Sequence, residues 1–266
     1  MEIKQVSTNK KQFLSLLLLA DKQESMIDRY LDRGDLFVMY VDERTWIAVA
    51  VVTEEEEGVY ELKNLAVDPV YQRKGFGRQM VDFLCRHYQQ TGHTLLVGTG
   101  DSRQTVSFYQ SCGFTYSHTL SGFFTENYDH PIVEEGKVLT DMIYFRKDLP
   151  KVCLVAPADR TVSLVEELVK LWEASVRATH HFLTEKDILH LTPFVEEAVR
   201  GIETLLVMYL GNRPVGFLGL LDLKIEMLFV SPDYFGNGLG RQLVEMAIEK
   251  YHVHYVDVNE QNPRAE

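Results

Sequence analysis

LKNLAVDPVYQRKGFGRQMV (residues 62–81) recurs further along the chain as IEMLFVSPDYFGNGLGRQLV (residues 225–244), at one constant offset. Each copy runs from an apolar strand through Asp-Pro or Ser-Pro and a tyrosine into G-x-G-R-Q, and then into an amphipathic helix. Glycine at such a junction lets the backbone approach a ligand closely. The first amides of the new helix are unpaired, lie at the positive end of its dipole and point at an anion. The stretch therefore reads as a phosphate-holding strand-to-helix turn, and its repetition at domain-sized spacing reads as a duplicated α/β domain.

The loop Gln72-Arg73-Lys74-Gly75-Phe76-Gly77 resembles that of the GNAT superfamily of N-acetyltransferases, [Gln/Arg]-x-x-Gly-x-[Gly/Ala] between the fourth strand and the third helix. The resemblance implies two tandem α/β domains, each an α+β mixed sheet of the acyl-CoA N-acyltransferase kind. It also implies acetyl-CoA as the cofactor, with its pyrophosphate in the loop, and a fourth strand splayed from its neighbour so that its backbone meets the pantetheine arm. Cofactor contacts are then expected from Leu65, Ala66, Val67, Gln72, Arg73, Lys74, Gly75, Phe76, Gly77 and Arg78. Phe108-Tyr109-Gln110-Ser111-Cys112-Gly113-Phe114 matches the family's F-Y-x-x-x-G-F, which makes Tyr109 the candidate acid for the departing thiolate. Ser102 stands where relatives often carry an asparagine that meets the cofactor arm; capping the following helix is the alternative role.

The family usually places a carboxylate on its fourth strand. Period-two alternation sets Glu61, Lys63, Leu65 and Val67 on one face, so Glu61 is the candidate base, with Asn64 or a water-mediated route as competitors. In the second copy Glu226 aligns with Lys63 and joins Gly236, Gly238, Gly240 and Arg241 as a candidate second site, although Phe235 replaces the loop's leading Gln. Residues 98–142 look like an uncharacterised bacterial subgroup of these enzymes, whereas residues 175–183 and 257–263 look like the YjaB-like acetyltransferases.

Domain 1 is expected over residues 1–147 and domain 2 over residues 152–266, with Lys147 to Lys151 as linker. In domain 1 the pattern predicts strands at Glu2–Val6, Leu36–Val41, Trp46–Thr53, Val59–Val67, Thr94–Thr99 and Lys137–Arg146. Helices are expected at Lys10–Ala20, capped by Asn9, and at Gln23–Leu31, Gly75–Gln90 and Ser102–Ser111. The Glu54 to Glu57 run reads as a solvated hairpin tip. Domain 2 repeats the order as far as a strand at Val253–Val258. If Asn262 matches Ser102, the counterpart of Tyr109 falls beyond Glu266, so this domain is expected to lack its last helix and strands.

The 266 residues carry a net charge of −12, shared equally between the halves and without a Lys/Arg cluster, which excludes a nucleic-acid binder. Cys85, Cys112 and Cys153 lack C-x-x-C pairing, arguing against disulfides or zinc and for a reducing cytoplasm. Leu14 to Ala20 is too short to span a membrane. His180 and His181 have no ligand partners at metal spacing, so no metal is expected; they line a substrate pocket or serve structure. The acceptor is expected to be a small-molecule or peptide amine. Phe123, Phe124 and Tyr128 beside Glu126 and Asp129 would suit a cationic one as a pocket; a packed flap is the alternative. Together these readings predict acetyl-CoA-dependent N-acetylation of a primary amine, by direct attack in a ternary complex and mainly in domain 1. The alternatives are an acetyl-CoA-binding sensory module without turnover, and a second domain serving as a dimerisation surface in a homodimer.

Overall fold

A computed structural model of the protein describes residues 1–42 and 44–257. The chain divides after Leu149 into two compact units. In the first, β1 (Glu2–Val6) leads through a 3-10 turn (Lys10–Phe13) into α1 (Leu14–Ala20) and α2 (Glu24–Leu31). Then come β2 (Asp35–Tyr40), β3 (Trp46–Glu56), β4 (Val59–Val67), α3 (Phe76–Tyr88), β5 (Thr94–Thr99) and α4 (Arg103–Ser111). The unit closes with β6 (Thr115–Leu120), α5 (Phe123–Asn127), the hairpin β7 (Val133–Glu134) and β8 (Lys137–Val138), and β9 (Met142–Asp148).

Seven of these strands form a sheet in the order β1-β2-β3-β4-β5-β9-β6, antiparallel throughout except for the parallel β4–β5 pair. Helices cover both faces because each carries one apolar stripe. Leu16, Leu17, Ile27 and Leu31 of α1 and α2 pack on Val38, Val49, Val51 and Ala66. On the other face Met80, Val81, Leu84 and Tyr88 of α3 pack on Phe37, Ala48, Ala50 and Leu62.

Several expectations are revised. Asn9 does not cap α1: it sits at φ 51° without a side-chain bond. Its neighbour Lys10 instead donates to the carbonyls of Leu31, Asp32 and Gly34 at 3.0, 3.1 and 2.6 Å, neutralising the C-terminal end of α2. The strand expected over Lys137–Arg146 breaks into β8 and β9, and the polar edge strand β6 went unread. The acidic run after Thr53 is not merely solvated, since β3 extends through Glu56 and Glu55 pairs with Arg33 at 2.7 Å and Lys63 at 3.2 Å. Only Leu149 and Pro150 lie between β9 and the next strand where a five-residue linker was expected, because the strands run on from both sides. Leu149 packs into the first unit's core.

In the second unit, β10 (Lys151–Leu154), α6 (Val162–Thr179), α7 (Glu185–Gly201), β11 (Thr204–Leu210), β12 (Arg213–Leu221), β13 (Lys224–Val230), α8 (Leu239–Tyr251) and β14 (Tyr255–Val256) follow in turn. Their sheet order, β10-β11-β12-β13-β14, repeats that of β1 to β5, and β13 again pairs in parallel with its last neighbour. Thr184 and Asp187 form a capping box on α7, and Thr161 caps α6. Arg160, 6% exposed, donates to five carbonyls, of Val155, Val199, Arg200, Ile202 and Glu203, and so closes the C-terminus of α7. The end of the strand expected at Val258, and Asn262, lie outside the described residues. No described helix is long and apolar enough to cross a membrane.

Candidate active site

The site begins with an irregularity in β4. Across β3, Val51 faces Asn64 but Val52 faces Leu62, so Lys63 is an extra residue, a β-bulge. The bulge switches the parity of the strand. Before it, Tyr60 and Leu62 face the α3 side; after it, Leu65 and Val67 do, while Ala66 turns to α1 and α2. The strict alternation expected for β4 is therefore corrected. Glu61, opposite Thr53, shares its face with Asn64 and Ala66, and not with Leu65 and Val67.

Just past the bulge, the parallel pairing of β4 with β5 stops at Leu62 and Val97, and the two strands part. Cavities of about 880 and 630 Å³ lie at this opening. The larger takes in Val67, Arg73, Gly75, Gly77, Arg78 and Phe108; the smaller takes in Asp21, Tyr30, Glu61, Asn64, Tyr128 and Tyr144. Leu65, Gln72, Thr105 and Tyr109 line both.

At the larger cavity, Asp68 accepts from the Val70 amide at 2.9 Å and turns the chain out of the sheet. Gln72 Nε2 donates to the Val67 carbonyl at 2.9 Å, closing the loop on the strand. Gly75 is the N-cap of α3 at φ 86°, and a Cβ there would meet only Gln79 Nε2, at 4.0 Å. The space beside it is thus an open cradle, faced by the unpaired amides of the first turn of α3. Gly77 does something else. A Cβ on it would come within 3.2 Å of the Phe108 ring, so this glycine lets α3 and α4 touch. Arg73, Arg78 and Arg103 line the cavity, with Arg78 also donating to Ser111 at 3.0 Å. Lys74 does not line it and instead holds its ammonium over the Tyr71 ring, 5.3 Å from the centroid. Phe76 lines the cavity, whereas the Ala66 side chain points to the opposite face of the sheet.

Tyr109 is buried on α4 between Phe108 and Phe114. No described group hydrogen-bonds its hydroxyl, and burial holds its acidity well below that of an ordinary tyrosine, so it keeps its proton at neutral pH. Glu61 is buried too. Its Oε1 accepts from the Tyr144 hydroxyl at 3.0 Å and its Oε2 from Lys63 at 2.6 Å. Ser102 Oγ accepts from the Thr105 amide at 3.3 Å, the capping role. Glu135, which sequence reasoning missed, caps the same helix by accepting from the Arg103 and Gln104 amides at 3.2 and 3.3 Å. Cys112 is buried in the core, and burial pushes its thiol up.

The expected aromatic-and-acid pocket takes a different form. Phe123, Phe124 and Tyr128 line the smaller cavity, but Glu126 and Asp129 do not. The acid beside Tyr128 is Asp21, from the far end of α1. Nothing local in the sequence joins residues so far apart.

In the second unit the loop backbone is repeated. Gly236 and Gly238 take φ 79° and 78°, Gly238 is the N-cap of α8, and Gly240 has room beside Val230. The bulge is repeated as well: Gly219 faces Met227 and Leu220 faces Ile225, leaving Glu226 as the extra residue, where the first unit has Lys63. Charge order on the strand is inverted, because Lys224 stands where Glu61 does. Glu226 is exposed and paired with Lys224 at 3.0 Å, and Arg241 is exposed and paired with Glu245 at 2.7 Å. His180 bonds Thr179 Oγ1 at 2.8 Å, and burial pushes its imidazole below the usual histidine range. Among the described residues no three His, Cys, Asp or Glu side chains gather as a metal site.

Residues 32–116 match a family described as "Acetyltransferase (GNAT) domain", and residues 181–266 match a second family of the same description. The chain is 36% identical over 137 residues to the uncharacterized N-acetyltransferase YvbK of Bacillus subtilis, covering 50% of this chain and 87% of that one. It is 37% identical over 100 residues to the peptidyl-lysine N-acetyltransferase YjaB of Escherichia coli, covering 38% and 68%. Among solved structures, a GNAT family acetyltransferase from Elizabethkingia anophelis with acetyl-CoA bound superposes with a TM-score of 0.53 at 31% identity. It covers 56% of this chain and 97% of that one.

Proposed function

Because the chain belongs to the GNAT acetyltransferases, with two such domains in tandem, we propose that its first unit moves the acetyl group of acetyl-CoA to a primary amine by direct attack in a ternary complex. The single observation that carries this reading is Tyr109, which lines both cavities and whose hydroxyl has no hydrogen-bond partner among the described residues. The residues fit acetyl-CoA: the open cradle beside Gly75, the free first-turn amides of α3 and the arginines Arg73 and Arg78 suit a pyrophosphate. The parted strand, Leu65 to Val67, offers backbone groups to an extended arm. Acetyl-CoA supplies the activated acetyl group.

Glu61, steadied by Tyr144 and Lys63, takes the proton that the acceptor's ammonium must lose before its lone pair is free. Tyr109 would give its proton to the departing thiolate, and the second proton shed by the acylated nitrogen would restore the tyrosine hydroxyl. The YjaB relatives are named for peptidyl-lysine acetylation, which supports an amine acceptor for this chain. Ser102 and Glu135 act one step back, holding the N-terminus of α4 and hence Tyr109.

Tyr109→Phe keeps the ring and removes the proton. It is expected to lower kcat by about 10²-fold while acetyl-CoA affinity stays within about twofold, measured by thiol release and calorimetry. Turnover equal to wild type would return Tyr109 to the core.

A further inference from the structure

The smaller cavity contains a buried carboxylate that the transfer chemistry leaves unused. Asp21 is 8% exposed and accepts from the hydroxyls of Tyr30 at 3.2 Å and Tyr128 at 3.1 Å and from the Gln23 amide at 3.4 Å. Among the described residues no cation lining the same cavity is hydrogen-bonded to Asp21, and only the charge of Arg29 acts on it from a distance. Arg29 donates to Asn127, Lys22 to the Leu19 carbonyl, Arg33 to Glu55, and Lys63 to Glu61 and Glu55. A carboxylate has about four lone-pair sites, so these three bonds leave one open. An unpaired buried carboxylate is unfavourable, and burial pushes Asp21 above the usual carboxylate range.

A second acceptor lies beside it. Asn64 is 3% exposed and lines the same cavity; its Nδ2 donates to the Leu17 carbonyl and the Tyr30 hydroxyl, both at 3.0 Å, which fixes the amide's orientation. Its Oδ1 is buried with no partner. Tyr30 therefore stands between two acceptors, each short of a donor. Close by, the rings of Phe124 and Tyr128 stack with centroids 5.5 Å apart. What this corner lacks is a cation with several N–H donors and an affinity for aromatic faces, which describes an alkylammonium.

We propose that Asp21, Asn64 and the Phe124–Tyr128 pair form a subsite for a second ammonium, so that the preferred acceptors are diamines or polyamines, held at Asp21 by one end and acetylated at the other. The choice of acceptor rests on the transfer reading above, whereas the subsite is read independently of it from Asp21, Asn64 and the aromatic pair. A monoamine with an apolar tail would leave Asp21 unpaired, and an acceptor bearing a carboxylate would be repelled by it.

The test uses the full chain with α,ω-diamines and n-alkylamines of matched length. Initial rates give kcat/KM with acetyl-CoA, and calorimetry gives Kd on the CoA-loaded protein. In the wild type both ratios are expected to favour the diamine by at least about tenfold. In Asp21→Asn both should fall to about unity, and in Tyr128→Phe to an intermediate value; wild-type affinity for acetyl-CoA certifies that each variant is folded. Parity between diamine and monoamine in the wild type, or a preference that survives Asp21→Asn, overturns the subsite. If Asp21→Asn does not fold, Tyr128→Phe decides by the same ratios, an undiminished preference overturning the proposal. If no amine is turned over, the transfer reading falls, and the Kd ratio alone then keeps or removes the subsite.

Discussion

At Gly75 the backbone sits at φ 86° beside open space, whereas two residues on Gly77 presses against Phe108. Two glycines of one motif thus answer to different physics. Gly75→Val should abolish acetyl-CoA binding by filling the cradle, with little change in the far-ultraviolet spectrum. Gly77→Ala should instead cost about 1–3 kcal/mol of stability through overpacking, read as a shift in urea midpoint. Undiminished binding in a folded Gly75→Val variant would remove the cradle from the site. Cys85 makes a third residue-scale test: burial pushes its thiol up to about 11. A raised thiol stays protonated at pH 8, so alkylation should be slow in the folded protein and fast in urea. The glycine loop and Tyr109 were legible because each sits in a short contiguous pattern. Asp21 was not, since its meaning comes from Tyr30, Asn64 and Tyr128, which only the tertiary fold assembles.

At the scale of elements, strands and helices with one apolar stripe could be read from periodicity alone, as α3 and β5 illustrate. Two failures have distinct causes. The strand β6 is exposed almost throughout and carries polar residues on both faces, so no alternation marks it. In β4 the alternation is present but broken at Lys63, and no residue type announces a bulge. A helix start is legible where a side chain does the capping, as at Ser102. Arg160 shows the opposite end of a helix closed from a distance. Arg160→Met should destabilise the second unit by about 3 kcal/mol, because it strands several carbonyls that a cation had satisfied. Urea unfolding followed at Trp172, in that unit's core, would detect it, and a change under about 0.5 kcal/mol would contradict the role.

On the scale of the whole molecule, the two units share loop, bulge and strand order but differ in the charges and side chains set upon them. Lys224 replaces Glu61, and Phe235 replaces Gln72 and cannot tie the loop to its strand. Gly238→Val in the full chain should therefore leave acetyl transfer within about twofold of wild type, while Gly75→Val removes it. Loss of transfer on mutating Gly238 instead would move the activity to the second unit. The parting of β4 from β5 carries one more consequence. A strand in the middle of a seven-stranded sheet normally has the slowest-exchanging amides of a domain, yet beyond Leu62 this one has a neighbour on a single side. It is a sheet edge placed indoors. Edges on the outside invite other chains to pair with them and aggregate; this one opens onto the larger cavity, which Leu65 and Val67 line, where an extended arm could take the missing neighbour's place. The amides of Leu65 and Val67, which point away from β3, should accordingly exchange with deuterium early in the free protein, and become among the most protected once such an arm lies along them.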